Sequence, residues 1–135
     1  MIGELDMGKD YSITPPVEGE LTKKGFTNRI KLKENVTVNK LLEYGFTNSN
    51  KATLYFMRMV GNDVSFNISI DKNTLEISRI DVLDEDWLQP YDYQAILMKD
   101  KNNTFARGVF NNVDKILKKL QYHGIITGYQ RGMYV

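Results

Sequence analysis

The chain predicts an α+β fold: a three-stranded antiparallel β-meander packed against a long C-terminal amphipathic helix, with shorter helices and an N-terminal β-arm. Three observations predict it. Residues 64–70 alternate strictly, with Val64, Phe66, Ile68 and Ile70 on one face and Ser65, Asn67 and Ser69 on the other, the pattern of a strand with one dry and one wet face. Strand-like runs at 52–60 and 75–82 flank it across Gly61-Asn62-Asp63 and Asp71-Lys72-Asn73-Thr74. Turns that short join antiparallel neighbours. Finally, Phe105, Val109, Val113, Ile116, Leu117 and Leu120 form one stripe at the ~3.6-residue period of a helix.

The 135 residues are 41% hydrophobic and 26% charged, with no cysteine. That length suits one domain, and the composition is that of a globular protein. Disulfides, iron–sulfur clusters and thiolate zinc sites are excluded. No apolar run approaches the roughly 20 residues of a membrane span. The first nine residues lack the charged-then-apolar order of a secretory signal, so an intracellular setting is expected.

Residues 1–35 read as an N-terminal arm. Pro15 and Pro16 cannot donate to a ladder, whereas Ile30 and Leu32 alternate with Arg29, Lys31 and Lys33. A hairpin from about 17 to 33, turning at Lys23-Lys24-Gly25, would add an edge. The remaining residues, 36–135, read as a single α+β domain. Thr37 caps a short helix at 38–44, and Gly45 stands where a left-handed residue ends it. In the 52–60 run, Leu54, Phe56 and Val60 share a face with Arg58. In the third strand Leu75 and Ile77 are out of phase with Ile80 and Val82, which predicts a bulge near Ser78-Arg79.

The segment 83–94 holds the only tryptophan, four carboxylates and two tyrosines. It reads as an ordered loop leading into a helix that ends at Lys99, with Pro90 or Asp92 at its start. The last helix runs from a cap at Asn103 or Thr104 to Gly124. Arg107, Asn111, Asp114, Lys115 and Lys118 are expected on its outer face. Gly108 would mark a close approach to the sheet, and residues 125–127 and 133–135 would form a terminal hairpin.

Charge is unevenly placed. Residues 61–100 carry three basic and nine acidic side chains, and residues 101–135 carry six and one. Such a dipolar pattern either neutralises itself or presents two surfaces to different partners. Carboxylates at Asp81, Asp84, Glu85 and Asp86, with Asp92 nearby, suit Mg²⁺ or Mn²⁺ in a metal-dependent phosphodiesterase, but no lysine is spaced to complete such a site. Asp71 to Leu75 lacks the glycine of a calcium loop. The single histidine, His123, sits where an imidazolium complements a helix C-terminus. No phosphate-cradling glycine motif occurs. No catalytic residue, metal ligand or cofactor is therefore assigned.

The basic helix, its glycine and the predicted terminal hairpin resemble the end of a winged helix, with Lys115, Lys118, Lys119 and Arg131 placed to touch phosphates. Three further strings, Thr37-Val-Asn-Lys-Leu-Leu-Glu-Tyr-Gly-Phe46, Val64-Ser-Phe-Asn-Ile-Ser-Ile-Asp71 and Ile80-Asp-Val-Leu-Asp-Glu-Asp86 with Gln89-Pro-Tyr-Asp-Tyr-Gln94, resemble small uncharacterised proteins of phages and prophages of low-GC Gram-positive bacteria. The resemblance covers about residues 36–135. It implies the cytoplasm of an infected host and supplies no catalytic residues. The leading expectation is a non-enzymatic accessory protein that binds a host or phage protein. Its contact surface would be Asp84, Glu85, Asp86, Trp87, Tyr91 and Asp92, an indole anchor with an acidic rim. Nucleic-acid binding through the basic tail is the alternative, and the phosphodiesterase is the second. An exposed sheet edge leaves a homodimer open.

Overall fold

The computed structural model describes residues 10–48 and 50–135. The first nine residues of the predicted arm lie outside the described residues. The elements run β1 (Lys31–Leu32), α1 (Val38–Tyr44), β2 (Thr53–Gly61), β3 (Val64–Asp71), β4 (Glu76–Asp84), β5 (Gln89–Pro90), α2 (Tyr93–Lys99), α3 (Thr104–Tyr122) and β6 (Ile126–Thr127). The architecture is α+β.

The alternating run forms β3, between β2 and β4. Phe56, Ile68 and Ile80 lie opposite one another across the three strands, and all three are buried with Val64, Phe66 and Ile70. The predicted bulge is present: Ser69 pairs with Arg79 while Ile70 pairs with Ile77, leaving Ser78 as the extra residue. Its hydroxyl donates to the Ser69 carbonyl at 3.2 Å. The inserted residue restores the phase, so Ile77 and Ile80 both turn toward the core.

The sheet has four strands in the order β2-β3-β4-β5, not the three expected. β5 places Pro90 opposite Leu83 and Gln89 opposite Asp84. A proline is tolerated there because β5 is an edge strand.

Helix α3 lays Ala106, Val109, Phe110, Val113, Leu117 and Leu120 into the core and packs against both α2 and β2. Each of the Val, Leu and Phe side chains among them, fully buried, stabilises the fold by about 1.5–3 kcal/mol. Asn103 caps α3 by accepting from the Ala106 amide at 2.9 Å. Thr37 and Asp92 cap α1 and α2 in the same way. Gly45 ends α1 at φ +127.

Several local expectations are corrected. Phe105 stays 44% exposed and meets Tyr91 edge-on, with ring centroids 5.6 Å apart. Asp114, expected on the outer face, is buried because groups distant in sequence converge on it. Gly108 faces open space. The close approach is at Gly61 instead, where an added Cβ would lie 3.2 Å from both Phe105 and Val109.

The chain ends also pair differently. Residues 17–33 close only one antiparallel bridge, Leu21 with Thr27, around Gly25 at φ +91. β1 pairs with β6, and Met133 bridges Thr14 in parallel. The expected terminal hairpin is therefore absent, and with it the wing of a winged helix. Residues 125–135 clasp the N-terminal segment, whose Tyr11, Phe26 and Ile30 join the same core as α3. Among the described residues no helix is long and apolar enough to cross a membrane.

Candidate functional site

The acidic segment is organised by its own hydrogen bonds. Asp84 Oδ1 accepts from the amides of Asp86 at 2.9 Å and Trp87 at 3.3 Å, closing the turn between β4 and β5. The Glu85 amide donates to the Asp63 carbonyl at 2.7 Å. Glu85 Oε2 accepts from the buried Ser65 hydroxyl at 2.7 Å, which in turn accepts from Asn67 Nδ2 at 3.0 Å. The β4–β5 turn is thereby stitched to the β2–β3 turn and to the polar face of β3. Asp84 and Glu85 each give one carboxylate oxygen to holding this corner together.

What the corner presents is apolar. Trp87 is 76% exposed and Leu88 77%, with Leu88 held at φ +52. Fully exposed beside them, Asp86 has its carboxyl held above the ordinary range by the charge of Asp63, then by desolvation, a hydrogen bond with Asp63 and the charge of Asp84.

Four of the six predicted contact residues thus come together: Asp84, Glu85, Asp86 and Trp87. The other two serve the fold. Tyr91, whose hydroxyl is pushed up by burial, packs on Phe105. Asp92 caps α2 and accepts from the Tyr134 hydroxyl at 2.9 Å. Burial and then that bond push Tyr134 up to about 12. Leu88 and Asp63 were missed. Adjacency to Trp87 was the signal for Leu88; nothing local pointed to Asp63, which arrives across the sheet.

The four predicted basic residues, Lys115, Lys118, Lys119 and Arg131, line one open groove along α3 together with Asp10 and Asp114, but two of them are tied to Asp114. Lys118 and Arg131 both bind Asp114, at 3.2 and 2.8 Å, and the Tyr129 hydroxyl donates to the same carboxylate. Burial first, then that bond, pushes the Tyr129 hydroxyl far above its usual range. Arg131 also lies 4.4 Å over the Phe110 ring, so its cation belongs to the interior, whereas Lys118 stays exposed on the outer face of α3, as expected. Lys115 and Lys119 also line a neighbouring groove of about 510 Å³ with Tyr44, Arg58, Asn112 and His123. His123 ends α3, donating its amide to the Lys119 carbonyl at 3.0 Å. Among the described residues no salt bridge joins the acidic segment to α3, and no group of three or more His, Asp or Glu is arranged to hold a metal ion.

No protein-family model matches the chain, and no curated protein matches it. Among solved structures, the chain is similar to the crystal structure of a DUF1831 family protein from Lactobacillus plantarum. The TM-score is 0.57 at 13% sequence identity, over 73% of this chain and 84% of that one. At that identity the likeness is one of fold.

Proposed function

We propose that the protein is a non-enzymatic binding protein that engages a protein partner through the β4–β5 turn. Trp87 and Leu88 are the anchor, and Asp86 and Asp63 are the acidic rim. The observation that supports this most is the exposure of Trp87 and Leu88 on a turn closed by Asp84. Leaving a leucine in water forgoes roughly 1.5–3 kcal/mol relative to burying it. A turn already fixed by internal bonds loses little further entropy when a partner closes on it. Tryptophan is enriched among residues that dominate interfaces. The complementary partner has an apolar pocket bordered by lysine or arginine, and the rim speeds association at low salt. The setting suggested by the resemblance is the cytoplasm of an infected bacterium, where the partner is a host or phage protein.

Affinity capture from host lysate, with nuclease treatment, tests this. The wild type retains a nuclease-resistant protein. The Asp86→Ala/Trp87→Ala variant keeps its circular dichroism and melting temperature and loses that protein. Retention by the folded variant rejects the turn as the contact surface.

A further inference from the structure

The groove between α1, β2 and α3 is separate from the acidic turn and has its own chemistry. Arg58 stands on the apolar face of β2. Its guanidinium lies 4.2 Å over the Phe56 ring, and Nη1 donates to the Met57 carbonyl at 2.8 Å. Nη2 lies 3.1 Å from where a Cβ on Gly45 would stand, so the glycine that ends α1 also makes room for it. Opposite, Asn112, Lys115 and Lys119 project from α3 into the same groove. Tyr44 forms an aromatic wall, with its ring centroid 5.6 Å from that of His123.

Among the described residues the ion pairs are Glu20–Arg29, Arg79–Asp81, Asp114–Lys118 and Asp114–Arg131. None engages Arg58, Lys115 or Lys119. Complementing the negative end of α3 accounts for Lys119. It accounts for neither Arg58, which comes from the sheet, nor Lys115, which lies further up the helix.

We propose that this groove binds the phosphate of a nucleotide, between Arg58 and the Lys115–Lys119 pair, with the base against Tyr44. Guanidinium and ammonium donors without carboxylate partners recognise phosphate oxygens. Rings beside such donors are the means by which proteins hold unpaired bases. The volume of about 510 Å³ falls in the range of small-ligand sites. The source is either a free mononucleotide or one unit of a single strand.

Fluorescence anisotropy with a labelled oligothymidylate, and competition by adenosine monophosphate, tests the site and separates the sources. The oligonucleotide binds at low salt and is released as salt rises, through counterion uptake. Lys115→Glu/Lys119→Glu, on the exposed face of α3, weakens binding at least tenfold. Arg58→Gln weakens it at least threefold. Lys23→Glu/Lys24→Glu, the same charge change at a remote turn, alters it less than twofold. Competition by the mononucleotide identifies a pocket for a free nucleotide; binding of the oligonucleotide without competition identifies a strand site. Either outcome supports the proposal. Absence of binding by both probes at low salt overturns it, as does equal weakening by the two lysine double variants.

Discussion

Asp114 and Asp86 are the same residue type put to opposite use. Asp114 is buried on α3 and receives Tyr129, Lys118 and Arg131, and through Tyr129 and Arg131 it ties the end of the chain to the helix. Asp86 is exposed on the β4–β5 turn, next to Asp63 and with no cation paired to it among the described residues. One carboxylate is enclosed by donors and spends its charge on the fold. The other adds to a like-charged corner that surrounds exposed tryptophan and leucine side chains. Polar groups satisfied internally mark the clasp that holds the molecule together. Charge and apolar surface left facing water mark the region available to a partner.

The clasp side of this contrast carries the largest expected effects. Gly128 is at φ +91, and a Cβ there would fall 1.9 Å from the Arg29 carbonyl oxygen. Gly128→Ala therefore destabilises the protein by at least ~3 kcal/mol, the upper end of single-substitution effects, as read by urea denaturation. Asp114→Ala comes next on the same measurement, at about 3 kcal/mol, because it leaves Arg131 partly buried without its carboxylate. Gly108→Ala has the opposite sign. Gly108 is a helical residue with nothing within 4 Å of its added Cβ, so the variant gains about 1 kcal/mol and melts about 4 °C higher. The two glycine variants make the same chemical change, and their opposite signs separate a backbone crossing from an open helix face.

The acidic corner carries smaller effects on stability. Asp86 is raised above its ordinary value of 3.8 by the charge of Asp63, so the folded state binds more protons there than the unfolded chain. Its repulsion is absent below pH 3.8 and grows as pH rises through the folded value. Asp86→Asn is thus more stable than the wild type at neutral pH, and the advantage disappears as the pH falls toward 3.8. Thermal melts across that range check the sign. A gain that increases on acidification would refute the Asp63–Asp86 repulsion. Trp87→Ala shifts stability by less than about 0.5 kcal/mol, because the indole is mostly in water.

The elements that could be recognised in advance are those whose information is local. The alternation at 64–70, the phase change at Ser78, the α3 stripe and the caps at Thr37, Asp92 and Asn103 each depend on residues a few positions apart. The elements that could not are set by distant neighbours. β5 is two residues long and too short to show a period; the residues of β1 and β6 were legible as strand, but not their pairing, because β1 finds β6 from the other end of the chain. Asp114 follows Phe110 by four positions and precedes Leu117 by three, which put it on the edge of the apolar stripe. Its burial was decided by Tyr129 and Arg131 beyond the helix. At the candidate site the composition of 83–92 singled out the region. It did not distinguish Asp84 and Glu85, which build the turn, from Trp87 and Leu88, which the turn displays. Arg58 was legible as a charge on an apolar face, but the groove that gives it meaning needs α1 and α3 beside it.

The most direct test of the binding surface is photocrosslinking from position 87 itself. A photoreactive phenylalanine analogue replacing Trp87, so that an aromatic side chain remains at the anchor, gives a discrete protein adduct on irradiation in nuclease-treated bacterial lysate. The same residue replacing the exposed Lys24 gives none. Adducts of the same mass from both positions, or no adduct from position 87 in the folded protein, would contradict the account.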